Sequence, residues 1–73
     1  MGCIIAMRSA TLAEKSLRAI RGTGIACEKV SVDPSLTGKG CAFGISLPCR
    51  DVDAAKLLLD RRHITYGDVI GGY

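Results

Sequence analysis

The sequence predicts an α+β domain of the ferredoxin-like, split βαβ type (βαββαβ): an antiparallel four-stranded sheet with two helices on one face. Three observations carry that expectation. Apolar segments follow one another in the order strand, helix, strand, strand, helix, strand within 73 residues, which is the split βαβ plan. The breaks between them fall on Gly22, Gly24, Pro34, Gly38, Gly40 and Pro48, residues that end regular structure. Apolar residues make up 48% of the chain and Trp is absent, a composition suited to a small aliphatic core. Right-handed crossovers then order the sheet 4-1-3-2, and residues 1–73 make a single domain.

Each element has its own signal. Cys3, Ile4, Ile5, Ala6 and Met7 form a short apolar run closed by Arg8, too short for a helix and suited to a buried strand. Thr11 followed by Glu14 has the spacing of a capping box, with Ser9 as the rival cap. Ala13, Leu17 and Ile20 recur at helical spacing while Lys15, Arg18 and Arg21 take the other side, and Gly22 and Gly24 stop the helix. Residues 25–32 are rich in strand formers and end at Asp33-Pro34. From Cys41 the pattern alternates, with Phe43, Ile45 and Leu47 on one face and Ala42, Gly44 and Ser46 on the other. Asp51 is placed to cap a second helix with Val52, Ala55, Leu58 and Leu59 as its apolar stripe, and Arg61, Arg62 and His63 complement the dipole at its end. Residues 64–73 are punctuated by glycine and fit one final short strand.

Composition narrows the function. The formal charge of +3 is spread along the chain, and basic clusters interleaved with stacking aromatics are missing, which speaks against nucleic acid as a partner. No stretch approaches the about 18 apolar residues of a membrane span, and residues 1–7 lack the pattern of a signal peptide, so the expected location is cytoplasmic. In a reducing compartment the four cysteines are expected as free thiols. Cys41 and Cys49 would in any case lie about 26 Å apart along an extended strand, beyond the about 7 Å reach of a bridge. There is no C-x-x-C pair, and no metal or other cofactor is expected.

The strongest candidate for chemistry is Cys41, which follows the turn-rich run Pro34, Ser35, Leu36, Thr37, Gly38, Lys39, Gly40. In the 4-1-3-2 sheet the end of strand 1 and the start of strand 3 share an edge, which sets Cys41 near Arg8, Ser9 and the start of helix 1. A helix N-terminus, Arg8 and Lys39 would all favour the thiolate over a thiol of ordinary pKa, about 8.5. Gly38 and Gly40 supply backbone freedom and room for approach. Lys39 between two glycines lacks the spacing and following Ser or Thr of a Walker phosphate loop. Cys3, Cys27 and Cys49 belong to the opposite end of the sheet, where each is expected to fill core space as a small hydrophobe. A site for zinc or copper(I) built from those three thiolates is the sharper alternative.

The whole chain resembles a small bacterial family of selenium/sulfur carrier proteins. Ile4-Ile5-Ala6 with Ser9, Gly24-Ile25, Asp33-Pro34 and above all Gly40-Cys41-Ala42-Phe43-Gly44-Ile45 carry the likeness. Many members have Gly after the motif cysteine where this chain has Ala42. The resemblance implies a single ferredoxin-like domain, Cys41 as the functional thiol holding sulfur or selenium, and donor and acceptor proteins as partners. It implies a carrier rather than an enzyme in its own right. Two alternatives come from other classes: an interaction or ligand-binding module, dimerising through the small apolar face of Ala42, Gly44 and Ser46 beside Ile4 and Ala6, and a thiol metal chaperone.

Overall fold

A computed structural model describes residues 2–33 and 42–71. The elements are β1 (Gly2–Met7), α1 (Ala10–Arg21), β2 (Glu28–Ser31), β3 (Phe43–Pro48), a 3-10 turn (Cys49–Asp51), α2 (Val52–Arg61) and β4 (Val69–Ile70). The strands form one sheet in the order β2-β3-β1-β4 with every neighbour antiparallel. This is the predicted 4-1-3-2 arrangement of an α+β, split βαβ domain.

Register explains which side chains meet. Met7 lies opposite Phe43, Ile5 opposite Ile45 and Cys3 opposite Leu47, and partners across an antiparallel pair point to the same face. Ile5, Met7, Ile45 and Leu47 share one core with Ala13 and Ile20 of α1 and Ala55 and Leu59 of α2, so both helices cover that face. Lys29, opposite Ile45, points the same way and its Nζ reaches Glu14 Oε1 of α1 at 3.0 Å. The other face carries Ile4, Ala6, Val30, Gly44 and Ser46.

Helix α1 buries Ala13, Ser16, Ala19 and Ile20, close to the expected stripe with one polar intruder. Ser16 is tolerated in the core because its hydroxyl donates to the Leu12 carbonyl at 2.8 Å, which leaves no unpaired buried group. The cap is Ser9, not Thr11: Ser9 is extended and its Oγ accepts from Leu12 N–H at 3.1 Å. Glu14 is drawn instead to Lys29. At the other end of α1, Gly24 takes the left-handed conformation (φ 87°) that glycine adopts without strain.

Two predicted details are corrected and a third, the short final strand, is located. The second strand is Glu28–Ser31, shorter than residues 25–32; just before it the Cys27 carbonyl, on the open edge of the sheet, accepts from the Arg21 guanidinium, Nε at 3.3 Å and a terminal nitrogen at 3.2 Å. The last strand is Val69–Ile70, preceded by bonds from Gly67 N–H to the Ala6 carbonyl (2.7 Å) and from Ala6 N–H to the Asp68 carbonyl (2.8 Å). Asp51 does stand at the start of α2, but its side chain makes no capping bond. Its carboxylate lies 4.0 Å from Arg50 Nε.

Candidate functional site

The edge predicted to carry the site is where β1 ends and β3 begins. One residue beyond the Met7–Phe43 pair come Arg8 and Ala42, and Ala42 accepts a hydrogen bond at its carbonyl from Val32 N–H at 2.9 Å. Arg8 is exposed, the first residue past the buried Ile5-Ala6-Met7 run. Ser9 follows as the cap of α1, so its oxygen is committed to Leu12 N–H and its role is to fix the helix terminus. The positive end of the α1 dipole therefore lies beside Arg8 at this edge. Gly38, Lys39, Gly40 and Cys41 lie outside the described residues. Of the predicted site, the structure places Arg8 and Ser9 together at the expected edge.

The other three cysteines gather at the opposite end of the sheet, as the topology required, but not as three free thiols. Cys3 and Cys49 form a disulfide with their Cα atoms 4.9 Å apart. This corrects the free-thiol expectation and removes the three-thiolate metal alternative, because two of its donors are bonded to each other. Among the described residues no group of three His, Cys, Asp or Glu side chains is placed to hold a metal ion. The missed signal lay beyond the register: Cys3 is opposite Leu47, two residues short of Cys49, and the 3-10 turn that begins at Cys49 brings the two Cα atoms to 4.9 Å.

Cys27 is buried, and its Sγ lies 3.9 Å from the Leu17 carbonyl. Burial pushes its thiol above the ordinary value, while the positive charge of Arg21 and its hydrogen bond act in the opposite sense. Its thiolate is correspondingly scarce at neutral pH, and so is its reactivity.

His63 also departs from expectation. It is not a residue of the final helical turn: α2 ends at Arg61, and His63 takes a left-handed backbone (φ 57°) just beyond it. In this conformation His63 N–H donates to the Asp60 carbonyl (3.1 Å) and Ile64 N–H to the Leu59 carbonyl (2.9 Å), closing the helix as a terminal glycine usually does. Sequence reading missed it because the residue is not Gly or Asn. It also missed that the turn brings Arg62 and His63 against the Lys15–Arg18 side of α1.

Neither protein-family models, nor curated proteins, nor solved structures give a match to this chain. What the geometry defines is the class: a four-stranded split βαβ domain with a disulfide at one end of its sheet and, at the other, the exposed Arg8 beside the Ser9-capped start of α1. No helix among the described residues is long and apolar enough to cross a membrane.

Proposed function

We propose that this protein carries sulfur or selenium on Cys41, receiving it from a donor protein and passing it to an acceptor. The single observation that carries the reading is chemical elimination. Of four cysteines, Cys3 and Cys49 are bonded to each other and Cys27 is buried with its thiol pushed up. The remaining thiol belongs to the glycine-rich segment whose chain continues into Ala42, beside Arg8 and the start of α1.

The chemistry needs no oxidant. The Cys41 thiolate attacks the outer sulfur of a donor persulfide, forming a new S–S bond as the donor's S–S bond breaks and the electron pair leaves on the donor thiolate. An acceptor thiolate then attacks that outer sulfur and Cys41 leaves as thiolate, its starting state. Selenium at the same oxidation level follows the same path through a Cys41 selenosulfide. Arg8 and Lys39 support the anion on either side of each transfer, and Gly38 and Gly40 let the partner's chain approach. The reading makes the protein a delivery component of the bacterial cytoplasm rather than an enzyme.

The test is intact-mass spectrometry after incubation with a persulfide donor or with a selenosulfide (R–S–SeH) donor, which carries selenium already at the persulfide oxidation level. The unsubstituted protein is expected to gain one sulfur or one selenium, and Cys41→Ser to gain none while keeping its circular dichroism spectrum. A gain that persists in Cys41→Ser overturns the assignment.

A further inference from the structure

From the cleft between α1 and the turn after α2 we infer a second site, one that binds a small organic phosphate of about nucleoside-diphosphate size, and this inference does not depend on the carrier reading. The cleft is a groove open to solvent with a volume of about 540 Å³, within the range of small-molecule sites. Its rim holds Lys15 and Arg18 from α1 and Arg62 and His63 from the turn, over a floor of Leu12, Ala19 and Ile64. Among the described residues no acidic side chain lines it. Its three fixed cations equal the formal net charge of the entire chain, +3.

Those cations are only partly balanced within the fold: the Glu14 carboxylate, bonded to Lys29, is also within reach of the charge of Arg18 one turn along α1. Lys15 and Arg18 stand three residues apart on one helical face, a like-charge spacing that works against the helix. The acid of α1, Glu14, is taken by Lys29 at 3.0 Å, on the side facing the sheet. Asp60, the nearest acid before the turn, lines a neighbouring groove with His63, Thr65 and Tyr66. Among the described residues neither Lys15, Arg18 nor Arg62 forms an ion pair. A multiply charged anion supplies what the fold withholds.

His63 is the second and independent observation. A left-handed residue closing a helix is normally glycine, and a histidine there is backbone strain retained at the rim of the cleft. Strain of that kind is characteristic of functional positions. The apolar floor selects the ligand's body: a bare anion would leave Leu12 and Ile64 in contact with water, whereas a planar or apolar group attached to a phosphate covers them. A diphosphate matches three cations in charge, and the floor accommodates the attached group.

The experiment is an NMR titration of the full chain at low salt with ADP, with pyrophosphate and adenosine as probes of charge alone and body alone. ADP is expected to give saturable shifts at Leu12, Lys15, Ala19 and Ile64, to bind more tightly than pyrophosphate, and to lose about fivefold in affinity on Lys15→Ser or Arg62→Ser, the ratio equivalent to about 1 kcal/mol per charge. His63→Gly is expected to raise the melting temperature and weaken ADP binding, a split that a purely structural histidine would not produce. Absence of saturable shifts, binding unaffected by Lys15→Ser and Arg62→Ser, or pyrophosphate binding as tightly as ADP overturns the inference. So does an acidic peptide that perturbs the same residues more strongly than ADP.

Discussion

A methyl group placed on Gly44 would lie 2.5 Å from Ile4 Cγ2, 2.9 Å from Val32 Cγ2 and 3.2 Å from the Ile5 carbonyl oxygen. The first two neighbours are branched side chains with little freedom, and the third is backbone, so the sheet would have to shift to admit it. Gly44→Ala is expected to destabilise the domain by about 1–3 kcal/mol, the usual range for overpacking. A urea melt with an unchanged midpoint would show that the strands yield instead. The sequence made Gly44 visible only as a small residue on the face opposite Phe43 and Ile45. That two aliphatic side chains close over it depends on the pairing of Ala6 with Gly44 and of Val30 with Gly44, which single-residue patterns do not specify. His63 was hidden for a related reason: its left-handed backbone is imposed by the turn that returns the chain to the sheet, and nothing about histidine announces it. Gly24, also left-handed, was legible because glycine is the residue that such a position selects.

Among the elements, α1 is the one whose start decides the geometry of the candidate edge. Its cap is a single hydrogen bond, Leu12 N–H to Ser9 Oγ at 3.1 Å, and Ser9→Ala is expected to cost about 1 kcal/mol. Thermal unfolding of Ser9→Ala beside Thr11→Ala checks the assignment: the Thr11 variant should remain close to the parent, because Thr11 is exposed and makes no capping bond. Equal losses would restore Thr11 as the cap. The reason Thr11–Glu14 misled is that a capping box needs its acid free to reach back, whereas Glu14 is engaged across to β2. The hydrogen bond from Lys29 and then its charge hold the Glu14 carboxyl below its ordinary value. That contact joins elements 15 residues apart and is invisible to any local window. The helical stripes and the period-two alternation of β3 were legible because they are local. The late start of β2 was not, because its pairing begins only at Glu28 opposite Ser46, a register set by β3 rather than by any local pattern.

At the scale of the whole molecule, the sheet order has a consequence for stability. It brings the start of β1 to the end of β3, so residues 46 apart in sequence can be bridged by Cys3 and Cys49. Closing a loop of that length restricts the unfolded chain by about 4 kcal/mol on the chain-entropy account. That is a large share of the about 5–15 kcal/mol typical of a small domain, and a chain of this size has little apolar surface to replace it. The bridge also fixes where α2 begins, because Cys49 opens the turn that leads into it. Replacing both partners, Cys3→Ala with Cys49→Ala, avoids leaving a lone thiol that could attack elsewhere. This double variant is expected to unfold about 2 M earlier in guanidinium chloride, as a loss of about 4 kcal/mol spread over a slope near 2 kcal/mol/M requires. The unsubstituted protein treated with a dithiol reductant should behave alike, whereas Cys27→Ala should not reproduce the change in redox sensitivity. If reduction leaves the midpoint where it was, the bridge contributes nothing and the core of Ile5, Met7, Ile20, Ile45 and Leu59 suffices alone. Alkylation of the protein inside the cell, before lysis, separates stability from location: two modified thiols after unfolding mean that the bridge persists there, and four mean that a reducing cytoplasm keeps it open.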